Sequence, residues 1–291
     1  MGRSNKIVPQ SMCNWLLLLV FVLQFVVSLC VKEIWQIFSS KPLEQYNYIL
    51  IVEIFAVGMP TVLLCLYYKS DFVKTFAVKP MRFSQVWRCV VLGLCLQPIA
   101  VVGNLIWQKV VGVTPSLSYG TTPYDIKSFV IGFIFTCVVP SICEEFLLRG
   151  VYLTAVKRKG YMFSIITSTV MFVLLHSDPS SLVAHSILGA LTTVAVLNTN
   201  SVFAGILVHL SFNLGGILMD FATDEFLKAG FCFYFVLAGF CFVLSRVLLR
   251  SICSKKTKKT AFGNIAPELF RAFFNFPVLI IILIYVYRIV G

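Results

Sequence analysis

Charge is scarce in this chain: Asp, Glu, Lys and Arg make up 12% of its 291 residues, and there are only three histidines. A water-soluble domain carries about 25% charged residues, so this composition excludes one of ordinary kind. Also missing are the H-E-x-x-H of a zinc peptidase and the G-x-S-x-G of a serine hydrolase. No C-x-x-C pair occurs among the ten cysteines, which are scattered singly and mostly inside apolar runs. They read as small hydrophobes of a reduced protein, not as disulfides or a zinc site. There is no internal repeat and no low-complexity stretch.

What is present is apolar length. The chain is 59% hydrophobic with a mean hydropathy of +0.91. Apolar runs near 13–31, 49–68, 89–111, 127–151, 161–177, 180–198, 201–219, 229–249 and 273–290 approach the roughly 20 residues that cross a hydrocarbon core. The expected fold is therefore all-α, a polytopic transmembrane bundle of eight or nine helices set in a lipid bilayer. The first run is too long for a signal-peptide core and lacks a small-residue cleavage site, so it reads as a span.

The net charge of +12 does not imply nucleic acid, because the basic residues sit in short gaps between apolar runs. With the N-terminus inside, 17 of the 24 Lys and Arg residues fall on the inner side, which is the asymmetry expected of cytoplasmic loops. The N-terminus is thus expected in the cytoplasm, together with Lys157–Lys159 and the run Lys255–Lys259, a topology anchor. The segment 69–88, with Phe72, Phe76, Val78 and Trp87 among basic residues, reads as an interfacial stretch.

Ionisable residues inside spans are costly, at about 2.5 to 3.5 kcal/mol each near the bilayer centre, and are candidates for function. The fourth span carries Glu144, Glu145 and Arg149, and all three histidines, His176, His185 and His209, lie in or at the edge of spans. Positions four apart share a helix face. Glu145 and Arg149 can pair on one face, leaving Glu144 on another without a local partner, which suits a general base. The same spacing aligns Phe172 with His176 and His209 with Asn213. Counted at about 1.5 Å per residue, Glu144, His176, His209 and Asn213 lie at similar depths. His185 reads as cavity lining or helix glue, and Glu53 as a residue near the outer end that snorkels.

Glu-Glu-x-x-x-Arg, then Phe-x-x-x-His, then His-x-x-x-Asn, on successive spans, resembles the signature of the CAAX-protease and bacteriocin-processing family, also called Abi. The resemblance divides the chain into N-terminal helices with a basic interfacial segment (1–126), a catalytic core (127–220) and C-terminal helices with a basic loop (221–291). It implies an intramembrane endopeptidase acting on a membrane-associated peptide or protein near the cytoplasmic side. Glu144 and His176 would activate water, and His209 and Asn213 would hold the oxyanion. Glu145, Arg149 and Phe172 would support the site. A Glu with two His also forms a possible zinc set of Glu144, His176 and His209. Asn213, a poor zinc ligand but a good oxyanion donor, favours chemistry without a cofactor. Two rivals of other classes stand beside this reading: a non-catalytic scaffold or bacteriocin-immunity protein of the same fold, and a transporter with a proton-relay carboxylate.

Overall fold

The computed structural model describes residues 7–39, 43–112, 126–229, 231–253 and 265–290. Ten principal helices follow one another: α1 Gln10–Phe38, α2 Gln45–Tyr67, α3 Phe83–Val111, α4 Ile126–Lys159, α5 Tyr161–His176, α6 Leu182–Thr199, α7 Val202–Ala229, α8 Phe231–Ile252, α9 Ile265–Phe273 and α10 Phe276–Val290. Among the described residues there is no strand. Among the described residues, seven helices are long and apolar enough to cross a membrane, or eight if α9 and α10, bent by 73°, form one broken span. The chain is an integral, multi-pass membrane protein.

Two of the nine expected spans differ in kind. The fifth is an apolar helix of 16 residues, about 24 Å long at 1.5 Å per residue and short of the roughly 30 Å core. The last begins only at Phe276, because Asn275 breaks the helix: its amide donates to the Ala272 carbonyl at 2.7 Å. The turn before it, α9, is amphipathic, with Glu268 joined to Lys159 at 2.9 Å.

Interior prolines shape α2 and α4. Proline offers no N–H to the carbonyl four residues back, and its ring crowds that carbonyl. Both helices open into wide i→i+5 turns just before a proline, at Glu53–Gly58 ahead of Pro60 and at Phe133–Val138 ahead of Pro140. A third wide turn, Phe146–Tyr152, follows Glu145. Such widened turns re-aim side chains and gather at functional sites. Small residues then let the helices close up. A Cβ at Gly93 of α3 would strike the Val208 carbonyl of α7, so the two backbones meet there.

The segment 69–88 is only partly interfacial. Phe72 and Val73 are exposed, but Phe76 is 1% exposed and fills the space left by Gly150, beside Phe146. Thr154 donates to the Thr75 carbonyl at 2.9 Å and Ser201 to the Lys79 carbonyl at 2.6 Å. Such a segment plugs one end of the bundle. Lys157–Lys159 lie at that same end, as does the start of α1, where Gln10 meets Tyr152. The run Lys255–Lys259 lies outside the described residues.

Candidate active site

The doubled glutamate of α4 is the centre of the site, and its two members face different partners. Glu145 is fully buried; its Oε1 accepts from Arg149 Nη1 at 2.8 Å, one helical turn on, and from His209 Nδ1 of α7 at 3.1 Å. The second guanidinium nitrogen of Arg149 donates to the Gly189 carbonyl at 2.8 Å and to the Thr192 hydroxyl. The guanidinium also lies over the Phe172 ring, 4.9 Å from its centre. Room for the Glu145 carboxylate comes from Gly205, where a Cβ would collide with Oε2.

Glu144 turns to another face, as its position in the helix dictates, and meets α5: its Oε2 lies 3.5 Å from His176 Nε2. His176 Nδ1 sits 2.9 Å from the Phe172 carbonyl. A carbonyl only accepts, so Nδ1 carries a proton and Nε2 is the ring nitrogen that faces the carboxylate. At 3.5 Å the two atoms stand too far apart for a good direct hydrogen bond. The same logic applies to His209. Glu145 Oε1, which also accepts from Arg149, lies against Nδ1, and this leaves Nε2 for the cavity that His209 lines.

Asn213, one turn beyond His209, donates to the Thr136 carbonyl at 3.2 Å. That carbonyl is the one Pro140 cannot serve, four residues on. The proline thus prepares the acceptor that orients the amide, and one Nδ2 hydrogen remains for other use. Phe172 is the hub of the three histidines, with ring centres 4.4 Å from His176, 5.6 Å from His209 and 6.1 Å from His185.

Glu144, His176, His209 and Asn213 all line one cavity of about 360 Å³ between α2, α3, α4, α5, α6 and α7. A second cavity of about 290 Å³, against α1, shares Glu53, Glu144 and His176 with it. Two of these features, the burial of Glu53 and the His209–Glu145 contact, escaped the sequence. Glu53 does not snorkel: it is 7% exposed and lines both cavities, because the wide turn at Glu53–Gly58 faces α4, where Gly58 approaches Cys143. His185 lines the larger cavity and its ring lies 4.0 Å from that of His176. This is the cavity lining that its place in an apolar span leads one to expect. The His209–Glu145 contact joins helices 64 residues apart, and no spacing rule announces it.

The cavity linings also include Ser28, Gln108, Asp178 and Ser181, from helix ends and a turn opposite Lys157–Lys159. The expectations of an N-terminus inside and of a site near the cytoplasmic side are therefore not compatible. As to metal, no three His, Cys, Asp or Glu side chains among the described residues form a group able to hold an ion. Glu144, His176 and His209 line one cavity without converging as a ligand set. His209 spends one nitrogen on Glu145, and no step through a metal follows from this arrangement.

Fold and cavity together define a membrane-embedded helical bundle with a water-accessible carboxylate–imidazole site. Residues 126–215 match the family model described as type II CAAX prenyl endopeptidase Rce1-like. The matched segment holds the whole constellation from Glu144 to Asn213 and supports a relationship to the CAAX-protease and bacteriocin-processing family. Comparisons with curated proteins and with solved structures return no match.

Proposed function

We propose that the chain is an intramembrane endopeptidase in which Glu144 and His176 activate water for attack on a peptide bond. The observation that carries this reading is the Glu144–His176 pair: a carboxylate oxygen and an imidazole nitrogen 3.5 Å apart on a cavity wall, both of which accept when His176 is the neutral Nδ1–H tautomer. A water seated on the cavity side of the pair donates one hydrogen bond to each, and its lone pairs are left pointing outward. When its oxygen attacks the carbonyl carbon, Glu144 takes the proton. Charge develops on the carbonyl oxygen, where His209 Nε2–H and the free Nδ2 hydrogen of Asn213 donate. To donate there, His209 holds protons on both nitrogens, and Glu145 supplies the counter-charge. Collapse of the tetrahedral intermediate breaks the C–N bond, and the proton held by Glu144 passes to the leaving amine. The water is activated here without a metal.

The family relationship supports a protease, and the apolar helices support a membrane-associated peptide or protein as substrate. Because the cavities lie at the end of the bundle opposite the basic turn, the substrate reaches the site from the face away from Lys157–Lys159. The test is cleavage of membrane-associated peptides by purified protein in proteoliposomes, followed by mass spectrometry. Turnover that vanishes in His176→Ala supports the reading; turnover equal in both proteins refutes it.

A further inference from the structure

Glu53 poses a problem of charge. Its Oε2 is buried and has no hydrogen-bond partner among the described residues, and it lies within electrostatic reach of Glu144, whose own Oε2 likewise lacks one. Both carboxyl groups line both cavities, and Asp178 lines the larger one. Among the described residues, no lysine or arginine lines either cavity. Lys32, Lys109 and Lys127, toward that end of the bundle, are exposed, and Lys41 lies outside the described residues. The segment 113–125 contains neither Lys nor Arg. A buried carboxylate without a counter-charge is costly. Among the described residues, the junction of the two cavities holds the negative half of an ion pair without a lysine or arginine to complete it.

We infer that Glu53 is a specificity-determining residue that receives a cationic side chain, lysine or arginine, lying within a few residues of the scissile bond. This rests on the peptidase reading and narrows its substrate class. Because Glu53 stands beside Glu144, the cation docks next to the bond to be cut, and one bound charge relieves two carboxylates at once. The same field works against anions. A peptide with an acidic residue at this place meets Glu53, Glu144 and Asp178, so discrimination is repulsive as well as attractive.

The experiment uses full-length protein in lipid nanodiscs and non-cleavable hydroxyethylene peptides, a neutral mimic of the scissile bond. In matched peptides, lysine, norleucine or glutamate occupies each of three positions on either side of the isostere. Wild type is expected to bind the best lysine peptide at least about 10-fold more tightly than its norleucine twin, the scale of one hydrogen bond to a charged group. Glutamate at the same position should bind weakest. In Glu53→Gln the lysine-to-norleucine ratio should fall toward one, and in Glu53→Asp part of it should return. Equal binding of lysine and norleucine by wild type overturns the inference. So does a lysine preference that persists in Glu53→Gln, or a failure to bind any of the peptides. Hydrolysis of the parent amide peptides, followed in parallel, keeps the two readings apart. Lysine-selective binding without hydrolysis sinks the peptidase and leaves the cation site, whereas hydrolysis indifferent to lysine does the reverse.

Discussion

His209 binds Glu145 and not the glutamate beside it: Nδ1 lies 3.1 Å from Glu145 Oε1, inside the bundle and one turn from Arg149. Adjacent carboxylates of one helix thus serve histidines of two different helices, Glu144 the His176 of α5 and Glu145 the His209 of α7. A carboxylate that positions and a carboxylate that takes a proton should respond differently to mutation.

Glu145→Ala strands the Arg149 guanidinium in low dielectric, and removal of one partner of a buried pair costs about 3 to 5 kcal/mol. The expected outcome is a large fall in folded yield and in melting temperature. Glu145→Gln keeps the shape and should fold better, yet still lose turnover because His209 loses its counter-charge. Melting curves set beside turnover per folded molecule check both. A Glu145→Ala protein as stable as wild type contradicts the role of the pair.

Glu144→Gln and His176→Ala should retain the fold, since both groups face a cavity, and lose about 10² to 10⁴ in rate. Asn213→Ala removes one oxyanion donor and should lose about 10² to 10³. The readout is single-turnover cleavage at matched melting temperature. If Asn213→Ala raises KM and spares kcat, the amide binds ground state and transition state alike, and its oxyanion role is wrong.

Gly205→Ala tests the space reserved for Glu145. A methyl group there collides with Oε2, and overpacking of this kind costs about 1 to 3 kcal/mol. Turnover should fall more than stability alone explains, because the displaced carboxylate carries His209 with it. Gly132→Ala is the control, since its Cβ would meet nothing within 4 Å. Equal behaviour of the two variants would refute the steric argument.

The site and the basic turn should lie on opposite sides of the membrane. In a chain whose exposed Cys30 is replaced by serine, a cysteine introduced at Arg158 should react with impermeant reagent from the cytoplasmic side. One at Ser28 should react only from the other side. Labelling of both from one side contradicts the placement of the cavity.

How much of this could be read from the sequence depends on how local each feature is. The spans were legible, because hydropathy over about 20 residues is a local property, and so was the Glu145–Arg149 pair, fixed by a spacing of four. Glu53 was misjudged because its fate is decided by another helix: the close approach of Gly58 to Cys143 turns it inward against α4. Phe76 was taken for an interfacial residue for a similar reason, since its burial depends on a glycine 74 positions away. The role of Pro140 was hidden as well. Its missing N–H is plain in the sequence, but the amide that uses the Thr136 carbonyl comes from α7.

Peptide hydrolysis in labelled water tests the central claim most directly. Purified protein that has been dialysed against chelator cleaves a membrane-associated peptide in H₂¹⁸O, and the new carboxyl group is weighed by mass spectrometry. Glu144 acting as a base on water predicts one ¹⁸O in the first turnover, no loss of activity on chelation, and no product from Glu144→Gln. Product formed by Glu144→Gln at the wild-type rate, or activity that disappears with a stoichiometric metal ion, would contradict it.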